Sequence, residues 1–266
     1  VNVLIPMAGA GQRFVDAGYE QHKPAILTTD RRTGKKVPMV VAATYDLPDI
    51  LSAETQLIYV DRLFHREDGV ENAIYAHFPK ARFITIKDLT EGQASTCLLA
   101  KEYINNNTPL LIAGCDNGMV FDEGAFVKAK TEADALIFTY RQHEAVLVKP
   151  EAYGWVSVDD QNNALAMSVK QAISQQPLED HAVVATFWFK RGSDFVRAAE
   201  AMIAADDRIH GEFYVDQVMQ HAIDAGLKIK VFEIQRYIGW GTPLDFENYE
   251  KTISYWQKFI EIEGLI

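Results

Sequence analysis

Cysteine is scarce: the 266-residue chain has two, Cys97 and Cys115, with no C-x-x-C partner for either. That excludes a disulfide-stapled scaffold and a four-thiolate zinc site, and it suits a reducing cytosol, so a cytoplasmic location is expected. No apolar run reaches the roughly 18 residues that would cross a bilayer, and no export signal is visible, so no membrane partner is expected. Positive charge is in deficit. Lys and Arg number 26 against 37 Asp and Glu, a formal net charge of −11. This opposes a nucleic-acid partner, whose phosphates must be neutralised by clustered cations. Internal repeats, low-complexity tracts and Pro/Ser-rich linkers are missing too. With 48% hydrophobic residues the chain can bury a sizeable core, and one domain over residues 1–266 is the simplest organisation.

Apolar runs rich in β-branched residues alternate with helical periodicity, the pattern of strands joined by crossover helices. Strands are expected at Val3–Pro6, Gln56–Val60, Arg82–Ile86, Pro109–Ala113 and Asp134–Tyr140. Helices are expected from Pro38 to Tyr45, Phe64 to Ala76 and Gln93 to Ile104. The texture then changes. Gly154–Val158 and Ala164–Val169 flank a polar Asp159–Asn163 loop and predict a β-hairpin, followed by a strand at His181–Phe189. Helices at Ser193–Ala205 and Glu212–Ala225, a strand at Lys228–Ile234 and a helix after Pro243 complete the chain. The second half therefore reads as an acceptor-binding elaboration of one α/β sheet.

The most informative segment is VNVLIPMAGAGQRFVDAGYEQHKPAI, residues 1–26. A strand runs into a loop carrying Gly9, Gly11 and Arg13, and ten residues later comes Lys23-Pro24. Glycines let backbone N–H groups approach an anionic oxygen, while an arginine fork and a lysine point charge neutralise a polyphosphate. The expected ligand is a nucleoside triphosphate. A dinucleotide fingerprint fits less well, because GAGQRF lacks the third glycine, and a Walker loop lacks its GxxxxGK[ST] order. The backbone of Met7, Ala8, Gly9, Ala10 and Gly11 is expected to cradle phosphates. Arg13 would neutralise the β- and γ-phosphates and the departing pyrophosphate, and Lys23 would reach the α-phosphate. Asp116 stands just beyond the apolar run LLIAG, where a carboxylate serves packing poorly. The first loop and Asp116 should share one end of the sheet.

MAGAGQRF with HKPAI resembles the signature of the sugar-phosphate nucleotidylyltransferase superfamily, G-x-G-x-R with a downstream K-P. LTEGQAST near residue 90, CDN at 115–117 and GWGTPLDF near 240 extend the resemblance over most of the chain. It implies a three-layer α/β/α sandwich with a mixed, mostly parallel central sheet and a β-rich acceptor side. The implied reaction is Mg²⁺-dependent transfer of a nucleotidyl group from an NTP, with a pyrimidine slightly preferred. The acceptor is a phosphorylated small molecule, most often a sugar 1-phosphate, with polyol and amino-alcohol phosphates remaining open. Pyrophosphate is released, and the product is an activated precursor for surface polysaccharide or lipid synthesis. Homo-oligomerisation stays open.

By the same resemblance Asp116 is the metal-holding aspartate, and Gly92, Gln93, Ser95 and Thr96 form the base-recognition segment. Lys170 matches a lysine used on the acceptor phosphate, although the usual Glu-Lys pair is Val169-Lys170 here. Trp240-Gly241-Thr242 would close the acceptor side. A second metal-binding aspartate, placed by many relatives two residues before Gly-Thr, is replaced by Gly239. Asp216 is the favoured substitute, with Glu212 and Asp245 as others. Tyr153, Gly154, Trp155 and His181 would surround the acceptor, while Trp188 and Phe189 fill core behind it. His65, His77, His143, His210 and His221 lack ligand spacing and are given no metal. Two other classes stay in view. CDN superficially resembles the D-x-D of a nucleotide-sugar glycosyltransferase, and Gly239 keeps a non-catalytic regulatory nucleotide-binding domain open.

Overall fold

Apolar residues on both faces of a strand require cover on both faces of its sheet, and the first strand shows this immediately. Val3 and Ile5 enter one core while Leu4 enters another. A computed structural model describes residues 1–263. In chain order the strands are β1 (Asn2–Pro6), β2 (Leu27–Thr29), β3 (Lys36–Pro38), β4 (Gln56–Arg62), β5 (Arg82–Ile86), β6 (Leu110–Ile112) and β7 (Asn117–Val120). They continue with β8 (Ala135–Tyr140), β9 (Gly154–Val158), β10 (Ala164–Val169), β11 (His181–Phe189), β12 (Ile229–Glu233) and β13 (Arg236–Gly239).

The central sheet runs β10-β9-β11-β6-β1-β4-β5, with β8 pairing β11 and β12 off this path. The β6-β1-β4-β5 portion is parallel; β11 joins it antiparallel through β6. Alternate residues feed the two cores. Ile5, Tyr59, Leu111 and Phe138 pack beneath the helices Met39–Tyr45, Val70–His77 and Glu123–Glu132. Leu4, Ile58, Ile112 and Ile137 meet the helices Gln93–Leu98, Gly192–Ala204 and Val215–Asp224. The result is three layers, as the family resemblance implies.

Several elements depart from expectation. The helix expected over Phe64–Ala76 is two, Leu63–Glu67 and Val70–His77, broken at Gly69, whose φ is 77°. Gln93–Ile104 likewise divides into Gln93–Leu98 and Lys101–Ile104. The β2–β3 hairpin and the β7–β13 ribbon were not foreseen, because strands of three or four residues carry too few alternations to register. The ribbon matters most, since it pairs Asn117 with Gly239 and so draws the two ends of the site together.

Candidate active site

The loop after β1 is tied to the neighbouring strand by Met7 N–H donating to Val60 O at 2.9 Å. Gly11 turns the chain into the short helix Gln12–Asp16 with φ 62°, a conformation that favours glycine. A Cβ at Gly11 would also lie 3.5 Å from Lys23 Cβ, so the loop and the lysine segment are in contact. Lys23 opens the 3₁₀ turn Lys23–Ala25, in which Pro24 and Ala25 are buried and hold the turn in place. From there the Lys23 ammonium donates to Asp116 Oδ2. Burial pushes the Lys23 ammonium down, but the Asp116 carboxylate outweighs this and raises its pKa above the ordinary lysine value. Asp116 follows β6, and its backbone oxygen accepts the Trp240 N–H at 2.9 Å.

These groups line a cleft of about 360 Å³. Met7, Ala8, Gly9, Ala10, Gly11, Lys23 and Asp116 form one side; Leu89, Thr90, Gly92, Gln93 and Thr96 form the other, with His22, His65, Cys115 and Glu212 completing it. The Cys115 thiol is pushed up to about 12 by burial and the adjacent Asp116, against Lys23, so it stays protonated and is no nucleophile. Gly92 has φ 128°, and a Cβ there would stand 2.5 Å from Phe213 N. The segment is thereby pressed against the backbone before the helix Val215–Asp224. Thr96 Oγ1 donates to Gly92 O at 3.1 Å and lies 2.5 Å from Thr90 Oγ1. Its hydroxyl is thus used within the loop, whereas Ser95 does not line the cleft, which leaves Gln93 as the side chain facing it from this helix.

A second hollow of about 790 Å³ adjoins the first. Arg13 lines it and not the smaller cleft, together with Lys149, Tyr153, Tyr237, Gly239, Thr242 and Asp245, and one wall is the helix Pro243–Glu263. Arg13 is also near enough to act electrostatically on Lys23, Lys170 and Tyr153. The hairpin residues are distributed less simply. Lys170 has φ 61°; its Nζ donates to Ala152 O at 2.5 Å and lies 5.5 Å from the centre of the Tyr214 ring. Burial lowers its pKa, with Asp216 opposing, while burial raises that of Asp216, with Lys170 opposing.

Three expected acceptor residues are core. Trp155 is fully buried and its Nε1 donates to Pro150 O at 3.0 Å. His181 is buried with Nδ1 2.9 Å from Thr139 Oγ1, and Trp240 is buried under Gly118 and Tyr249. Their aromatic surface is consumed by packing, a use that spacing alone does not distinguish from ligand contact. Gly154 is needed for a different reason than ligand approach, because a Cβ there would collide with the Asp216 carboxylate. Asp216 accordingly sits behind Gly154 beside Lys170, and no cluster of three or more His, Cys, Asp or Glu fit for a metal exists among the described residues. A Cβ at Gly239 would lie 2.9 Å from Tyr237 Cε1, so the ring of Tyr237, stacked on Tyr140 at 4.3 Å, fills the space a side chain there would need.

No protein-family model matches the chain, and no curated protein does. Solved structures do resemble it. The nucleoside-diphosphate-sugar pyrophosphorylase from Vibrio cholerae RC9 superposes with a TM-score of 0.73 at 19% identity, over 93% of this chain and 98% of that one. The inositol-1-phosphate CTP transferase from T. maritima gives 0.67 at 16% identity, over 94% and 93%. A UDP-glucose pyrophosphorylase complexed with UDP-glucose gives 0.67 at 13% identity, over 97% and 98%. The fold is that of the sugar-phosphate nucleotidylyltransferases. Within this nucleotidylyltransferase fold, the glycine loop, Lys23 and Asp116 stand at the carboxyl ends of β1 and β6, where open α/β sheets place their ligands.

The donor set around Asp116 bears on a metal. One carboxylate is a hard oxygen ligand of the kind Mg²⁺ takes, with water and phosphate oxygens supplying the remainder. A Cβ at Gly241 would fall 3.3 Å from Asp116 Oδ2 and one at Gly114 3.1 Å from Oδ1, so the two glycines leave the carboxylate uncrowded. These residues fit a magnesium ion carried in with a polyphosphate.

Proposed function

We propose that this protein transfers a nucleotidyl group from an NTP to a phosphorylated small molecule and releases pyrophosphate. The observation that carries the reading is the Lys23–Asp116 pair standing beside the Gly9–Gly11 loop in one cleft. A triphosphate resists attack because its oxygens are negative, so catalysis consists largely of placing charge before reaction begins. Lys23 would leave Asp116 for the α-phosphate and remain charged there. Asp116, released, would hold Mg²⁺, which when bound supplies positive charge to the phosphate oxygens. Arg13, on the wall of the larger hollow, would face the departing pyrophosphate and the incoming acceptor phosphate. An acceptor phosphate oxygen forms a bond to the α-phosphorus as the bridging α–β P–O bond breaks, and the electron pair leaves with pyrophosphate.

The smaller cleft, at about 360 Å³, would take the nucleotide, with a pyrimidine slightly preferred. The larger hollow would take the acceptor, a sugar 1-phosphate or a polyol or amino-alcohol phosphate. The test is to incubate the protein with Mg²⁺, each NTP and a panel of such phosphates, and to measure pyrophosphate. Acceptor-dependent release is expected. Nucleotide binding without turnover across the panel would replace this reading with a regulatory domain, and sugar transfer from a nucleotide sugar would replace it with a glycosyltransferase.

A further inference from the structure

The strand order determines what each part of the smaller cleft faces. Lys23 and Asp116 meet over β1 and β6, whereas His65 follows β4 and the Leu89–Gln93 segment follows β5. The wall remote from Asp116 is therefore the nucleoside end, if the polyphosphate lies at Lys23. His65 is on that wall and fully buried.

Its Nδ1 accepts the Arg62 backbone N–H at 3.1 Å. That bond needs a lone pair on Nδ1, so the neutral ring carries its proton on Nε2. Nε2 is buried and has no hydrogen-bond partner. Buried donors are nearly always satisfied, so an orphan donor in a cleft wall points to an acceptor brought by the ligand. The ring is held in place by Phe64, with centroids 4.4 Å apart, and by His22 edge-on at 6.0 Å. Burial, assisted by His22, pushes the imidazole down to about 4, which keeps it neutral.

We propose that His65 selects the nucleobase by donating its Nε2–H to a carbonyl oxygen on the base edge. This rests on the nucleotidyl-transfer reading above. The donor is recessed, and an exocyclic carbonyl reaches about 1.2 Å beyond the ring, whereas a ring nitrogen does not project. Uracil, cytosine and guanine carry such an oxygen. Adenine has none, and its exocyclic group is itself a donor.

The experiment is calorimetric binding of UTP, CTP, GTP and ATP, each with Mg²⁺, to wild type and three variants. His65→Asn places its side-chain oxygen near Nδ1, preserving the Arg62 contact while removing the donor. His65→Gln restores an N–H near Nε2, and His65→Phe keeps the ring and loses both nitrogens. Wild type is expected to prefer one carbonyl-bearing NTP over ATP by at least about tenfold. His65→Asn and His65→Phe should bring that ratio to within about threefold, and His65→Gln should retain most of it. An equal loss for all four nucleotides, or an unchanged ratio in Asn and Phe variants, overturns the role of His65 and leaves nucleotidyl transfer standing. ATP as the tightest ligand of wild type also overturns it. Failure of wild type to bind any NTP overturns both.

Discussion

Lys23 and Asp116 neutralise each other, and this pairing explains how a cation can be held in a partly buried cleft of an acidic molecule. The consequence is a sharp demand on Lys23. Lys23→Ala should lower kcat for pyrophosphate release by at least about 10²-fold, and Arg13→Ala should do the same if it meets transition-state charge. Near-normal turnover in either variant removes that residue's assigned role. Gly92 makes a demand on stability instead. With φ 128° and Phe213 N at 2.5 Å from any Cβ, Gly92→Ala should cost about 1–3 kcal/mol in urea unfolding, and a smaller change would show that the loop yields freely. Gly239 has no free room for a side chain. An aspartate there would have to displace Tyr237 from its stack on Tyr140.

At the scale of elements, β4 and the helix after it carry two buried titrating groups with opposite signs. His65 is pushed down to about 4, so its contribution to stability is complete above pH 6.5 and is lost as pH falls through 4. Asp61, at the end of β4, is pushed up to about 6 by burial, with Glu71 adding and Thr85 opposing. Its contribution is complete below 3.8 and is lost as pH rises through 6. Across pH 4 to 6 the two effects therefore oppose each other. Urea midpoints of Asp61→Asn should fall on acidification from pH 6.5 to 4, and those of His65→Asn should fall as pH rises from 4 to 6. Parallel profiles for the two variants would refute the opposition. None of this was legible in the sequence, where His65 showed only an absence of ligand spacing. What sequence does announce is what repeats: the long strands, the hairpin and the glycine-lysine motif each carry several coincident signals. A lone histidine becomes informative only once folding has buried one nitrogen and engaged the other.

At the scale of the whole molecule, two hollows are built from different parts of the chain. The smaller depends on β1, β4, β5 and β6, which are long-range parallel neighbours; the larger depends on the helix Pro243–Glu263 being fastened to the rest. That fastening is concentrated at β2. Glu250 accepts from Thr29 N and Thr29 Oγ1, each at 2.7 Å, and from Lys36, while the Tyr249 hydroxyl donates to Thr29 O at 2.6 Å. Tyr249 and Thr252, on the same helix, line the larger hollow and not the smaller. Glu250→Ala leaves Thr29 without its acceptor and should destabilise the fold by about 1–3 kcal/mol. Because it loosens only one wall, it should raise KM for the acceptor phosphate several-fold while leaving KM for the NTP within about twofold of wild type. Equal increases in both would mean that the two spaces form a single site, with the acceptor and the triphosphate sharing the wall that the terminal helix provides.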